Sequence, residues 1–73
     1  MAISRPITLE SARRDARLTQ AEIAKKMGVS VSAVSRWEKG VSDMSARQFA
    51  LFCEIVDRSR DDISLPNELH LTQ

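Results

Sequence analysis

The residues with the clearest recognition chemistry stand close together: Val31, Ser32, Ser35 and Arg36. At about 100° per helical residue, positions i, i+1, i+4 and i+5 gather on one side of a helix. Val34 and Trp37 then point the other way. A guanidinium is a fixed fork of N–H donors that fits the O6 and N7 acceptors of guanine, or a phosphate. Serine hydroxyls both donate and accept, and Val31 can pack on a thymine methyl. This is the chemistry of binding, not of bond making. Cys53 is the one cysteine and His70 the one histidine, so neither a nucleophile–base pair nor a zinc site can be assembled. Cys53 reads as a core residue. No glycine-rich phosphate loop is present. The sequence predicts no enzyme, no metal site and no cofactor.

A recognition face of this kind needs a helix held firmly against a second one. The segment Thr19 to Gly40, TQAEIAKKMGVSVSAVSRWEKG, has the features that two helices crossing at a tight turn demand. Thr19 with Glu22 three residues later is the capping-box pattern that opens a helix. Ala24 stands where a larger side chain would hold the two helices apart. Gly28, four positions on, can take the positive φ of a sharp turn. Ser30 is placed to cap the next helix, which carries Val34 and Trp37 inward and stops at Gly40. Ile23, Met27 and Val29 complete the apolar faces. Lys25 and Lys26 read as a solvated surface.

The rest of the chain must supply a core for this unit. With 73 residues it forms one domain, and a domain so small buries only about 60% of its unfolded surface. One cysteine rules out an internal disulfide, which leaves association with another chain as the remaining source of stability. A first helix is expected from near Thr8 to Ala16, with Leu9, Ala12 and Ala16 on one side. Ser45 opens a fourth, with Phe49, Phe52, Cys53 and Val56 at helical spacing. Ser59 with Asp62 opens a short fifth around Ile63, limited by Pro66. Alternation of apolar and polar residues nowhere persists for a strand's length, so the fold is expected to be all-α, with five helices and no sheet. Residues 1–66 form the domain and 67–73 a tail. Met1 to Arg5 carry no signal-like apolar run, and no stretch nears the roughly 20 apolar residues of a membrane span. A reducing cytoplasm is the expected compartment.

Charge is unevenly spread. Residues 1–47 hold nine Lys or Arg against five Asp or Glu, whereas residues 48–73 hold two against five. One face is thus suited to a polyanion and another to solvent or protein.

Leu-Thr-Gln at 18–20, Ala24, Met-Gly-Val-Ser at 27–30 and Ser-Arg-Trp-Glu-Lys-Gly at 35–40 resemble the helix-turn-helix family of phage repressors, Cro proteins and related bacterial regulators. The resemblance extends from about Thr8 to about Pro66, and Asp61, Asp62 and Ile63 resemble that family's final short helix. It implies a compact five-helix, lambda-repressor-like domain whose third helix enters the DNA major groove. It also implies that Gln20 grips a phosphate, and that Arg13 pairs with Glu38 to lock the third helix to the first, leaving part of the guanidinium facing the DNA backbone. Two departures stand out. Arg17 replaces a customary glycine, so the first helix is expected to end without a left-handed residue. Asp57 and Arg58 replace a glycine and an apolar residue, which leaves the last corner undefined.

The site therefore divides into base-reading Val31, Ser32, Ser35 and Arg36, and phosphate-binding Gln20, Ser30, Lys39, Ser42, Ser45 and Arg47 at helix starts and in the loop after the third helix. The expected function is sequence-specific binding of double-stranded DNA by a homodimer, in the manner of a Cro-like repressor, with Leu65, Leu69 and Leu71 as candidate dimer contacts. The competing expectation is an antitoxin-like interaction module whose acidic C-terminal third meets a protein partner.

Overall fold

The computed structural model describes residues 7–65. In chain order these form β1 (Ile7–Thr8), α1 (Leu9–Asp15), α2 (Gln20–Met27), α3 (Val31–Lys39), α4 (Ala46–Val56), a single 3-10 turn at Arg60–Asp62, and β2 (Ile63–Ser64). The expected tail lies outside the described residues, as do His70, Leu69 and Leu71.

Each α-helix opens on a hydroxyl. Thr8, Thr19, Ser30 and Ser45 are extended, and the side chain of each accepts from the backbone N–H three residues on. A cap of this kind is worth about 1 kcal/mol. Thr19 with Glu22 and Ser45 with Gln48 close full capping boxes, in which the N3 side chain returns a bond to the cap's own N–H.

The helices also end alike. Leu18, Val29, Val41 and Arg58 each donate to the carbonyl five residues back, at 2.9–3.2 Å, which is the Schellman closure. Its pivot is a left-handed residue: Gly28 (φ 73°) after α2 and Gly40 (φ 79°) after α3, but Arg17 (φ 63°) after α1 and Asp57 (φ 58°) after α4. The expectation for α1 is thereby corrected. Arg17 adopts the left-handed state itself instead of avoiding it. The Cβ clash costs roughly 1–2 kcal/mol, and the two backbone bonds of the closure offset it. The corner after α4 becomes defined in the same way.

The fifth helix is corrected as well. Only one turn fits between the cap at Ser59 and Ile63. Ile63 is extended and 3% exposed, and it pairs in parallel with Ile7, as Ser64 does with Thr8. A β-branched residue suits that extended backbone. Among the described residues the fold is thus four α-helices, one 3-10 turn and a two-residue ladder that joins the ends of the domain. The ladder corrects the expectation of no sheet.

All four α-helices line one core. Phe52, Leu9, Ile23 and Val34 are fully buried, each worth about 1.5–3 kcal/mol relative to exposure. Ala24, 3% exposed, lies in the extensive contact of α2 with α3. Cys53 is buried, as the stripe of α4 predicts. Met44 joins the core from the loop before α4, where no periodicity announces it. Leu65 is half-buried against the same core.

Candidate nucleic-acid interface

Burying Val34 and Trp37 fixes the rotation of α3 about its axis. Val31 is left 44% exposed, Ser32 and Arg36 are exposed and Ser35 is half-buried. These are the four residues expected to read bases, and the structure puts them on one side of one helix. Lys39, also exposed, lies a further turn along the same side, four residues beyond Ser35.

Past α3 the chain folds back. The Arg36 carbonyl accepts from Val41 N at 2.9 Å and from Ser42 N at 3.5 Å, so Ser42 is carried to the last turn of the helix. Ser45 and Arg47 are exposed at the start of α4. The Ser30 and Ser45 oxygens accept cap bonds from Ala33 N and Gln48 N, which leaves each hydroxyl its own O–H to donate. Arg47 sits in the first turn of α4, where the helix dipole favours negative charge, and that turn holds no acidic residue. An adjoining anion would offset the mismatch.

Behind α3 lies a buried polar junction. Arg13 Nε donates to Glu38 Oε2 at 2.7 Å and Nη2 to Oε1 at 3.4 Å. The pair implied by resemblance is thus formed, with side chains 9% and 6% exposed. The remaining terminal nitrogen, Nη1, donates to the Leu18 carbonyl at 2.9 Å. Gln20 Nε2 also donates to Glu38 Oε1, at 2.9 Å. The sequence assigns Gln20 only a phosphate; its tie to Glu38 spans 18 residues and carries no local signal. Among the described residues no buried side-chain nitrogen or oxygen lacks a partner.

Among the described residues two titrating groups are displaced. Hydrogen bonds accepted from Thr19, chiefly from its backbone N–H and then from its hydroxyl, hold the Glu22 carboxyl below the usual glutamate range. Burial raises the Cys53 thiol, against a smaller opposing pull from Arg60, and a protonated thiol is a poor nucleophile. Among the described residues no group of His, Cys, Asp or Glu is placed to hold a metal. No helix among them is long and apolar enough to cross a membrane.

A capped two-helix unit with one apolar and one hydrogen-bonding face on its second helix defines a helix-turn-helix DNA-binding domain. The helix-turn-helix family model matches residues 9–63, from the first residue of α1 to the first of β2. The chain belongs to this family, the lambda-repressor and Cro type of DNA-binding regulatory domain. No curated protein and no solved structure matches it.

Proposed function

We propose that the chain is a Cro-like repressor that binds a two-fold symmetric operator as a homodimer, each copy laying α3 in the major groove. The observation that carries this reading is the exposed side of α3. Val31, Ser32, Ser35 and Arg36 share it, opposite the buried Val34 and Trp37. Arg36 forks to the major-groove edge of a guanine, Val31 packs on a thymine methyl, and the serines bond to neighbouring bases. Gln20, Ser30, Lys39, Ser42, Ser45 and Arg47 hold the flanking phosphates and set the register of the helix on the groove. One copy makes few phosphate contacts. Two copies, with recognition helices about 34 Å apart, double them and read two half-sites one DNA turn apart.

Selection of bound sites from random duplex DNA, using the full chain, tests the proposal. The expected product is a palindrome with half-sites about 10 base pairs apart, and a footprint covering both. Enrichment of a single half-site without cooperativity would remove the dimer. Enrichment of no sequence would remove the operator, and would favour a protein partner at the acidic C-terminal third.

A further inference from the structure

Of the four left-handed residues that close the helices, Arg17 is the anomalous one. Gly28 and Gly40 carry no Cβ and meet no steric objection to φ 73° and 79°. Asp57 has a short polar side chain, a type that tolerates the left-handed region. Arginine has neither excuse, yet Arg17 stands at φ 63°. The backbone bonds of the turn, Arg17 N to Arg14 O and Leu18 N to Arg13 O, would form as well with glycine. They account for the conformation and not for the side chain.

The side chain has a location that explains it. Arg17 is exposed and lines an open hollow of about 700 Å³ together with Arg13, Arg14, Gln20 and Val31. Three arginines meet there against one carboxylate, Glu10. Two of the three are engaged: Arg13 with Glu38 at 2.7 Å, and Arg14 with Glu10 at 2.7 Å. Among the described residues the Arg17 guanidinium has no ion-pair partner. The hollow also reaches from the turn after α1 to Val31, the first residue of α3. A polyanion lying along the exposed side of α3 therefore passes its mouth.

We propose that Arg17 is a phosphate-gripping residue: its guanidinium contacts a phosphodiester of bound DNA, which explains an arginine at a position whose backbone would suit glycine better. This rests on the DNA-binding reading above and adds a residue to it. Removing the side chain should weaken binding while leaving the fold as stable as before, or more so.

The test compares the wild-type chain with Arg17→Gly and Arg17→Lys, by thermal melting and by titration of a random-sequence duplex over a range of salt. Arg17→Gly is expected to melt at or above the wild-type temperature. It should bind about five- to tenfold more weakly at low salt, with the slope of log K against log salt reduced by about 0.9, the value for one phosphate contact. Arg17→Lys, which keeps the charge, should retain the wild-type slope. Unchanged affinity and slope in Arg17→Gly would overturn the proposal while leaving DNA binding intact. A clear fall in its melting temperature would overturn it too, by showing the side chain to be structural. Failure of the wild type to bind any duplex would instead overturn the DNA-binding reading on which it rests.

Discussion

Arg13 and Glu38, twenty-five residues apart in the chain, meet through a 2.7 Å bond from Nε to Oε2. Because Gln20 donates to the same carboxylate, α1, α2 and α3 converge on a single buried anion. The helix proposed to enter the groove, α3, is thus fixed from behind by charge as well as by the apolar contacts of Val34 and Trp37.

Glu38→Ala should be among the most damaging single changes in the domain. It leaves the guanidinium of Arg13 buried and unpaired, a loss of about 3–5 kcal/mol against a total stability of about 5–15 kcal/mol for an ordinary domain. Glu38→Gln, which keeps a hydrogen-bond acceptor, should cost less. Urea unfolding measures both; a wild-type midpoint for Glu38→Ala would show that the junction anchors nothing.

Ala24→Val tests the crossing of α2 and α3. Two added methyl groups at a buried helix contact should cost about 1–3 kcal/mol through overpacking. Val is β-branched and slightly poorer in helices, so Ala24→Ser at the same site serves as a smaller probe and should cost less. An unchanged melting temperature for Ala24→Val would mean that the helices are not in close contact there.

Base reading and phosphate grip separate by their salt dependence. Arg36→Ala should weaken binding to the selected site by about 1–3 kcal/mol and leave random-sequence binding mostly intact. Lys39→Ala should weaken both alike and lower the salt slope by about one. Gln20→Ala should also act on every sequence, with little change in slope, since glutamine carries no charge. Equal losses on specific and random duplexes for Arg36→Ala would make it a backbone contact and shift specificity to Val31, Ser32 and Ser35.

The start of α2 should be sensitive to acid. The Glu22 carboxyl lies below its ordinary range in the folded chain because of its bonds from Thr19. A depressed carboxyl stabilises the fold above its unfolded pKa, and that contribution is lost as pH falls through the folded value. Glu22→Gln keeps an acceptor for the Thr19 N–H without a titrating group. Melting temperatures followed from neutral pH to below the normal glutamate range should therefore fall less steeply in Glu22→Gln than in the wild type. Parallel curves would show that the box contributes nothing through its charge.

What could be read from the residues is what local chemistry decides. Thr19, Ser30 and Ser45 cap helices because a short oxygen side chain reaches the third N–H onward, whatever lies farther away. Gly28 and Gly40 mark turns for an equally local reason. The inward set of α3 follows from a 3.6-residue period, and with it the outward set, so the exposed face that carries the candidate site is legible before its surroundings are. The tie from Gln20 to Glu38 was not, because it depends on how α2 and α3 are brought together in space. Met44 escaped notice in a loop without period. Residue type argues against the left-handed state at Arg17 and leaves the corner at Asp57 undefined, whereas the closing hydrogen bonds decide both. The Ile7–Ile63 pair is too short to show alternation at all.

That last pair gives the domain a mechanical character. β1 and β2 run in parallel, so force applied at Ile7 on one strand and Ser64 on the other draws them past each other lengthwise. The slanted bonds of a parallel ladder are then loaded together and not peeled one at a time. Two residue pairs make a small latch, but its orientation is the resistant one. It should be the first element to yield under tension, opening in one event before any helix unwinds. Single-molecule stretching from these two points would show a short initial step ahead of the main unfolding event.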